Sequence, residues 1–288
     1  MVDHAAAYGV ACAAADRWAL DPPELLRHGM NAIYACGDVV LRVGRASAPA
    51  TASHDLVTVL IAHGVPTVPP VPGLAVDLDG FAVSAWERVR PIERPVDWES
   101  VGASIAIAHG LDQSELPDSY PRPSPTVFPW WDFDAMFDSV DGHLDAASHA
   151  GLSRAIADGR GWRAAVSVGA VVCHGDVHPG NVMMSAHGPL LIDWDLMCVA
   201  NPAWDHAMLT TYADRWGGEP GAYVAFAAGY GRSFVDDELT RTLARLRNVA
   251  ATLMRVKAGL VDPRAMVEAE RRLRYWAGDV AAPVWRAQ

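Results

Sequence analysis

The run Cys173-His174-Gly175-Asp176-Val177-His178-Pro179-Gly180-Asn181 sets an aspartate and an asparagine in a polar, turn-rich segment with four residues between them. Shortly after it, the apolar Leu190-Leu191-Ile192 leads into Asp193-Trp194-Asp195. Phosphoryl transfer to an alcohol needs a carboxylate that orients the hydroxyl and takes its proton as the new bond forms. It also needs oxygen ligands for the cations that accompany the phosphates. Asp176, in a loop after an apolar strand expected over 166–172, suits the first task. Asn181 offers a neutral oxygen for Mg²⁺, and Asp193 a charged one held at the end of a buried strand. His174 is counted with this catalytic group, as the residue that fastens the loop from inside the core rather than as a proton carrier.

Two plainer readings compete. Each run alone is an ordinary turn. Both in order, with the Asp-to-Asn spacing kept, argue for a site. A zinc pair from His174 and His178 needs a helix, and Gly175 and Pro179-Gly180 break one.

The elements that must position these residues are legible upstream. A helical lead-in runs from residue 1 to about 26. A hairpin follows, from Asn31 to Cys36 and from Val39 to Val43, turning at Gly37-Asp38. Residues 51–63 repeat apolar positions at helical spacing and stop at Gly64-Val65-Pro66. Strands near 74–78 and 81–86 turn at Asp79-Gly80. The sequence thus predicts an α+β N-terminal lobe over residues 1–89, a joint at 85–91, and a mostly helical lobe over 92–288. In the second lobe, a helix is expected near 98–111, loop over 116–129 and one amphipathic helix over 132–146. Further helices start at Asn201-Pro202 (ending at Gly217), at Asp236 or Asp237 (ending at Gly259) and at Asp262-Pro263 (ending at Gly278).

Composition narrows the chemistry. The 288 residues carry a net charge of -11, against the basic footprint that nucleic-acid binding needs. Lys257 is the only lysine, so there is no G-x-x-x-x-G-K-[ST] phosphate loop. The four cysteines form no zinc spacing and read as buried thiols in a reducing compartment. No apolar run spans a bilayer and no basic region opens a signal peptide, so a cytoplasmic location without membrane contact is expected. Monomer and homodimer both stay open.

The His174 to Asn181 run and Ile192-Asp193-Trp194 closely resemble the motifs of the aminoglycoside phosphotransferase family, small-molecule kinases with a protein-kinase-like fold. The resemblance covers nearly the whole chain. It implies a bilobal fold with ATP or GTP between the lobes, Asp176 as catalytic base, and Asn181 and Asp193 as magnesium ligands. The family pairs a strand cation with a helix acid to hold phosphates. Here the strand cation is Arg42, and no glutamate occurs between Glu24 and Glu87. The sequence offers Asp55 as its partner, unless Asp55 is simply solvated. Gly29 and Asn31 fit the loop over the phosphates, and the joint from Ala85 to Val89, including Glu87, fits adenine through its backbone.

The partners implied are a nucleotide and a small hydroxyl acceptor, with an aminoglycoside or related amino-sugar leading. Candidate acceptor contacts are Asp195, Asp205, Trp131, Asp132 and Asp134. Against that, Asp205 reads better as a brace for the catalytic loop or its own helix, and Trp131 better as packing. A choline, homoserine or sugar kinase is the rival within the fold. A nucleotide-binding protein without catalysis, a degenerate kinase, is the rival from another functional class.

Overall fold

The computed structural model describes residues 3–45 and 48–286. In chain order the elements are α1 (His4–Arg17), β1 (Glu24–His28), β2 (Ala32–Cys36), β3 (Val39–Arg45), α2 (Ala50–Ala62), β4 (Pro70–Leu78), β5 (Phe81–Glu87) and α3 (Trp98–His109). There follow α4 (Phe133–Asp138), α5 (Ala146–Asp158), α6 (Trp162–Ala165), β6 (Val171–Cys173), β7 (Val182–Ser185), β8 (Gly188–Leu191) and β9 (Cys198–Ala200). The chain closes with α7 (Ala203–Thr210), α8 (Tyr212–Trp216), α9 (Ala222–Tyr230), α10 (Glu238–Gly259) and α11 (Pro263–Trp276). No helix among the described residues is long and apolar enough to cross a membrane.

Packing divides the chain into two units. The first comprises Met1–Asp97, Gly110–Pro121 and Pro179–Asp195. Its five-stranded antiparallel sheet has the order β1-β2-β3-β5-β4. Ala7, Val10, Ala11 and Ala14 of α1 are buried in one cluster with Tyr34, Leu41, Val43, Val83 and Ala85 of the sheet. Small alanines let the helix lie close to these larger strand residues. The hairpin β7-β8 belongs to this unit, and Leu191 bridges to Thr67.

The second unit comprises Trp98–His109, Arg122–His178 and Leu196–Gln288. Its core packs Trp131, Trp162, Trp204, Leu243, Leu246, Val249, Leu253, Trp276 and Trp285. Gly102 of α3 and Gly229 of α9 allow these helices to approach until a Cβ on either would strike the other's backbone. Caps start the long helices where expected. Asp237 accepts the Thr240 N–H at α10, and Asp262 accepts the Arg264 N–H at α11. Asn201 accepts the Ala203 N–H before α7.

Four expectations need correction. The lead-in helix stops at Arg17, with Ala19 in the left-handed region, and residues 24–28 form the edge strand β1. That strand is exposed throughout and exists by pairing with β2, not by an apolar pattern. The helix expected over 132–146 is two helices. Asp132 caps α4, the chain leaves it at Ser139, and Asp145 caps α5. Each of these two aspartates starts its own helix. The strand expected over 166–172 begins only at Val171, since the Val166 N–H still bonds the Trp162 carbonyl as the tail of α6. The helix from Asn201 breaks at Thr211, and α9 lies beyond it.

Candidate active site

In the helical unit, β6 delivers the chain into His174, Gly175 and Asp176. Gly175 has φ of 91°, and a Cβ there would meet the Leu196 carbonyl oxygen at 1.8 Å. Only glycine makes this turn. Asp205, 1% exposed on α7, accepts the His174 N–H at 2.7 Å and the Gly175 N–H at 2.8 Å. His109 of α3 adds its Nε2 at 3.1 Å, and its Nδ1 meets the Tyr230 hydroxyl of α9 at 2.9 Å. Burial raises the Asp205 carboxyl, but these donors and the neighbouring histidines outweigh it and hold it below its ordinary value. His174 is fully buried, and its Nδ1 accepts the Asp176 N–H at 3.3 Å. The loop is therefore fastened by backbone amides, which fixes where Asp176 leaves the chain.

Both oxygens of Asp176 are engaged. Oδ1 accepts from Arg247 Nη1 of α10 at 3.0 Å, and Oδ2 lies 3.4 Å from His178 Nε2. Burial opposes ionisation, yet the His178 hydrogen bond and the Arg247 charge prevail, leaving this carboxyl below the usual range.

The sheet unit holds Asn181 and Asp193, the two residues expected from sequence to offer oxygens to a metal. Val182 pairs with Leu191, and the Ile192 N–H donates to the Asn181 carbonyl at 3.0 Å. Asn181 thus enters the β7-β8 hairpin where Asp193 leaves it, at one open end. Asp193 has φ of 63°, a strained conformation for a residue with a side chain. The Tyr120 hydroxyl donates to the Trp194 carbonyl at 2.8 Å and steadies this turn. A carboxamide and a carboxylate at one hairpin end form a hard-oxygen set that suits Mg²⁺.

Arg42 of β3 pairs with Asp195, and its Nη2 lies 3.9 Å from Asp193 Oδ1. Asn31 Nδ2 also reaches Asp195, at 3.4 Å. Asp55 does not meet Arg42. It is exposed on α2 and accepts the Ser119 hydroxyl at 2.7 Å, because the buried face of α2 is set by Ala52, His54, Leu56, Val57 and Leu60. Gly29 closes a turn from its N–H to the Asn31 carbonyl. Glu87 ends β5 exposed, its N–H bonded to Pro69, and Val89 lies half-buried beyond it.

The acceptor contacts expected from sequence mostly have other work. Asp205 is sealed beneath the loop. Trp131, 2% exposed, packs against Trp204 and Trp162 at ring-centroid distances of 4.4 and 4.9 Å and presents no face for a sugar. Asp195 is held by Arg42. Asp132 caps α4, and Asp134 stands exposed in its first turn.

The family model described as "Phosphotransferase enzyme family" matches residues 31–249. The chain belongs to that family. As a phosphotransferase it has the fold of several solved structures. A GDP complex of aminoglycoside 2'-phosphotransferase-IIIa is 14% identical with a TM-score of 0.68, covering 95% of this chain and 99% of that one. The choline kinase LicA from Streptococcus pneumoniae is 15% identical with a TM-score of 0.65, covering 94% and 98%. The amicoumacin kinase hAmiN in complex with AMP-PNP, Ca²⁺ and Ami is 12% identical with a TM-score of 0.68, covering 96% and 95%. No curated protein is similar enough in sequence to count as a relative.

Sequence reasoning missed three residues of this phosphotransferase: Arg247, His109 and Tyr230. Arg247 had a signal, since it falls between Leu243 and Ala250 on the buried stripe of α10. A cation on an apolar stripe asks for a partner.

Proposed function

We propose that the chain transfers the γ-phosphoryl group of ATP or GTP to a hydroxyl of a small molecule. The observation that carries this reading is the fastening of Asp176. Its carboxylate is fixed through the Asp205-braced loop and kept ionised by its neighbours. A carboxylate of depressed pKa is a weak base but a good acceptor of a hydroxyl hydrogen bond. That suits a loose transition state, in which the proton leaves late. Five residues along the chain, Asn181 would hold Mg²⁺ together with Asp193. The ion supplies charge neutralisation on the phosphates.

The test is nucleotide consumption with Mg²⁺ against aminoglycosides, hexosamines, choline and simple sugars, with wild type beside Asp176→Asn. The variant should lose about 10²–10⁴ of the turnover. Equal turnover in both would remove Asp176 from the reaction and the proposal with it. A folded chain that binds nucleotide and turns over no acceptor would favour the non-catalytic rival.

Arg42 is proposed as the cation that reaches the nucleotide phosphates. Arg42→Ala should raise the nucleotide KM about tenfold or more, since one charged hydrogen bond contributes roughly 1.5–3 kcal/mol. An unchanged KM would leave Arg42 as a partner of Asp195 only.

For the acceptor, an aminoglycoside or other amino-sugar is supported by the net charge of -11 and by similar structures, one of them holding GDP and kanamycin. An acceptor without a cation at its reactive hydroxyl is favoured by a specific observation, the arginine on Asp176.

A further inference from the structure

Arg247 does more than neutralise Asp176. Nη1 donates to Asp176 and Nη2 to the Gly175 carbonyl. The guanidinium lies over the Trp204 ring, 5.3 Å from its centroid. The side chain is 14% exposed. Held from three directions, the guanidinium is a fixed feature of the loop.

The carboxylate that orients the hydroxyl therefore shares its surroundings with a guanidinium. Asp176 is the acid paired with that guanidinium, and other acids of the helical unit are already engaged. Asp205 is buried and taken by two amides and His109. Asp132 and Asp145 are committed to helix caps. A guanidinium has five N–H donors in a fork, and Arg247 spends one from each Nη on the protein. The fork matches a carboxylate.

We propose that Arg247 is the specificity-determining residue of the acceptor site and selects an alcohol with a carboxylate beside the reactive hydroxyl, a hydroxy acid or sugar acid, over an amino-sugar. This rests on the reading of Asp176 as the residue that orients the hydroxyl. Nε is buried, so the acceptor carboxylate takes the remaining N–H groups of Nη1 and Nη2, and its hydroxyl then lies at Asp176.

The test compares matched acceptors that differ at one group: glucose, glucosamine and glucuronate, then glycerol, serinol and glycerate. Turnover with ATP and Mg²⁺ is measured together with the shift in melting temperature that each acceptor gives the nucleotide-bound protein. Wild type should prefer the acid to the amine in at least one set by about tenfold or more, because the guanidinium attracts a carboxylate and repels an ammonium group. Arg247→Gln should erase or reverse that ranking, and Arg247→Lys should keep its sign. An amine ranked first in wild type would overturn the proposal. So would the absence of any difference between wild type and Arg247→Gln across both sets, by turnover and by melting shift alike. If Arg247→Gln does not fold, the wild-type ranking and Arg247→Lys decide. Asp176→Asn separates the two levels. Turnover that survives in it sinks the kinase reading, whereas turnover lost in it with a ranking indifferent to Arg247 sinks only this inference.

Discussion

Asp205→Ala is expected to lose about 3–5 kcal/mol of stability, the scale for removing one partner from a buried charged group. Three donors converge on this carboxylate: two loop amides and His109. Alanine leaves all three without an acceptor in a site closed to water. Asp205→Asn keeps one oxygen but turns a nitrogen toward a donor, and should cost about 1–3 kcal/mol. The urea midpoint should fall at unchanged slope, and turnover should fall with it, because the amides that set the direction of Asp176 are released. A midpoint equal to wild type would show that the brace adds nothing. The same carboxylate predicts acid lability. Its pKa is lower in the folded chain than in the unfolded one, where it is about 3.9. Between those values the unfolded state binds more protons, so stability is full at neutral pH and is lost as pH falls below about 4. Asp176 adds to the slope with the same sign. Asp205→Asn should flatten that limb of the melting curve.

Glu268→Ala is the second large effect. Glu268 of α11 is 2% exposed and accepts from Arg272 Nε at 3.1 Å and from the Arg286 N–H at 2.8 Å. Arg271 Nε lies 3.2 Å from its other oxygen. Arg272 in turn donates to the Ala251 and Arg286 carbonyls and lies over Trp216 and Trp285. This cluster fastens the last described residues onto α10 and α11. Alanine would strand the Arg272 charge among tryptophans, at a cost of about 3–5 kcal/mol. Pairing Glu268→Met with Arg272→Met should recover most of the loss, since an apolar pair of similar volume often matches a buried ion pair. If the double variant unfolds as easily as the single one, the damage comes from packing and not from the stranded charge.

What could be read from sequence was local. Asp237 and Asp262 announce their helices because a cap needs only its own next three residues. Gly37 and Gly80 announce hairpins because a turn needs only its own φ. The spacing of Asp176, Asn181 and Asp193 was legible for the same reason: a loop and a hairpin carry all three. What failed depends on distant segments. The apolar rhythm over 132–146 reads as one helix, since Phe133, Met136 and Val140 do enter one core, and nothing in the rhythm reports that the chain stops at Ser139 and restarts at Asp145. Arg42 finds Asp195, 153 residues away, in place of Asp55 thirteen residues along. Arg247 and Asp176 are 71 residues apart, and only the packing of α10 brings them together.

The sheet unit is built from three pieces of chain, the last of which ends at Asp195. On a ribosome, β5 is complete about a hundred residues before that piece emerges, an interval of roughly 5–20 s at ordinary elongation rates. Through that interval β3 already displays Arg42, but the acid that pairs with it has not been made. The nascent sheet therefore waits with an unmatched cation, and a message that stalls before residue 195 releases a chain whose first unit is unfinished, whatever the state of its helices.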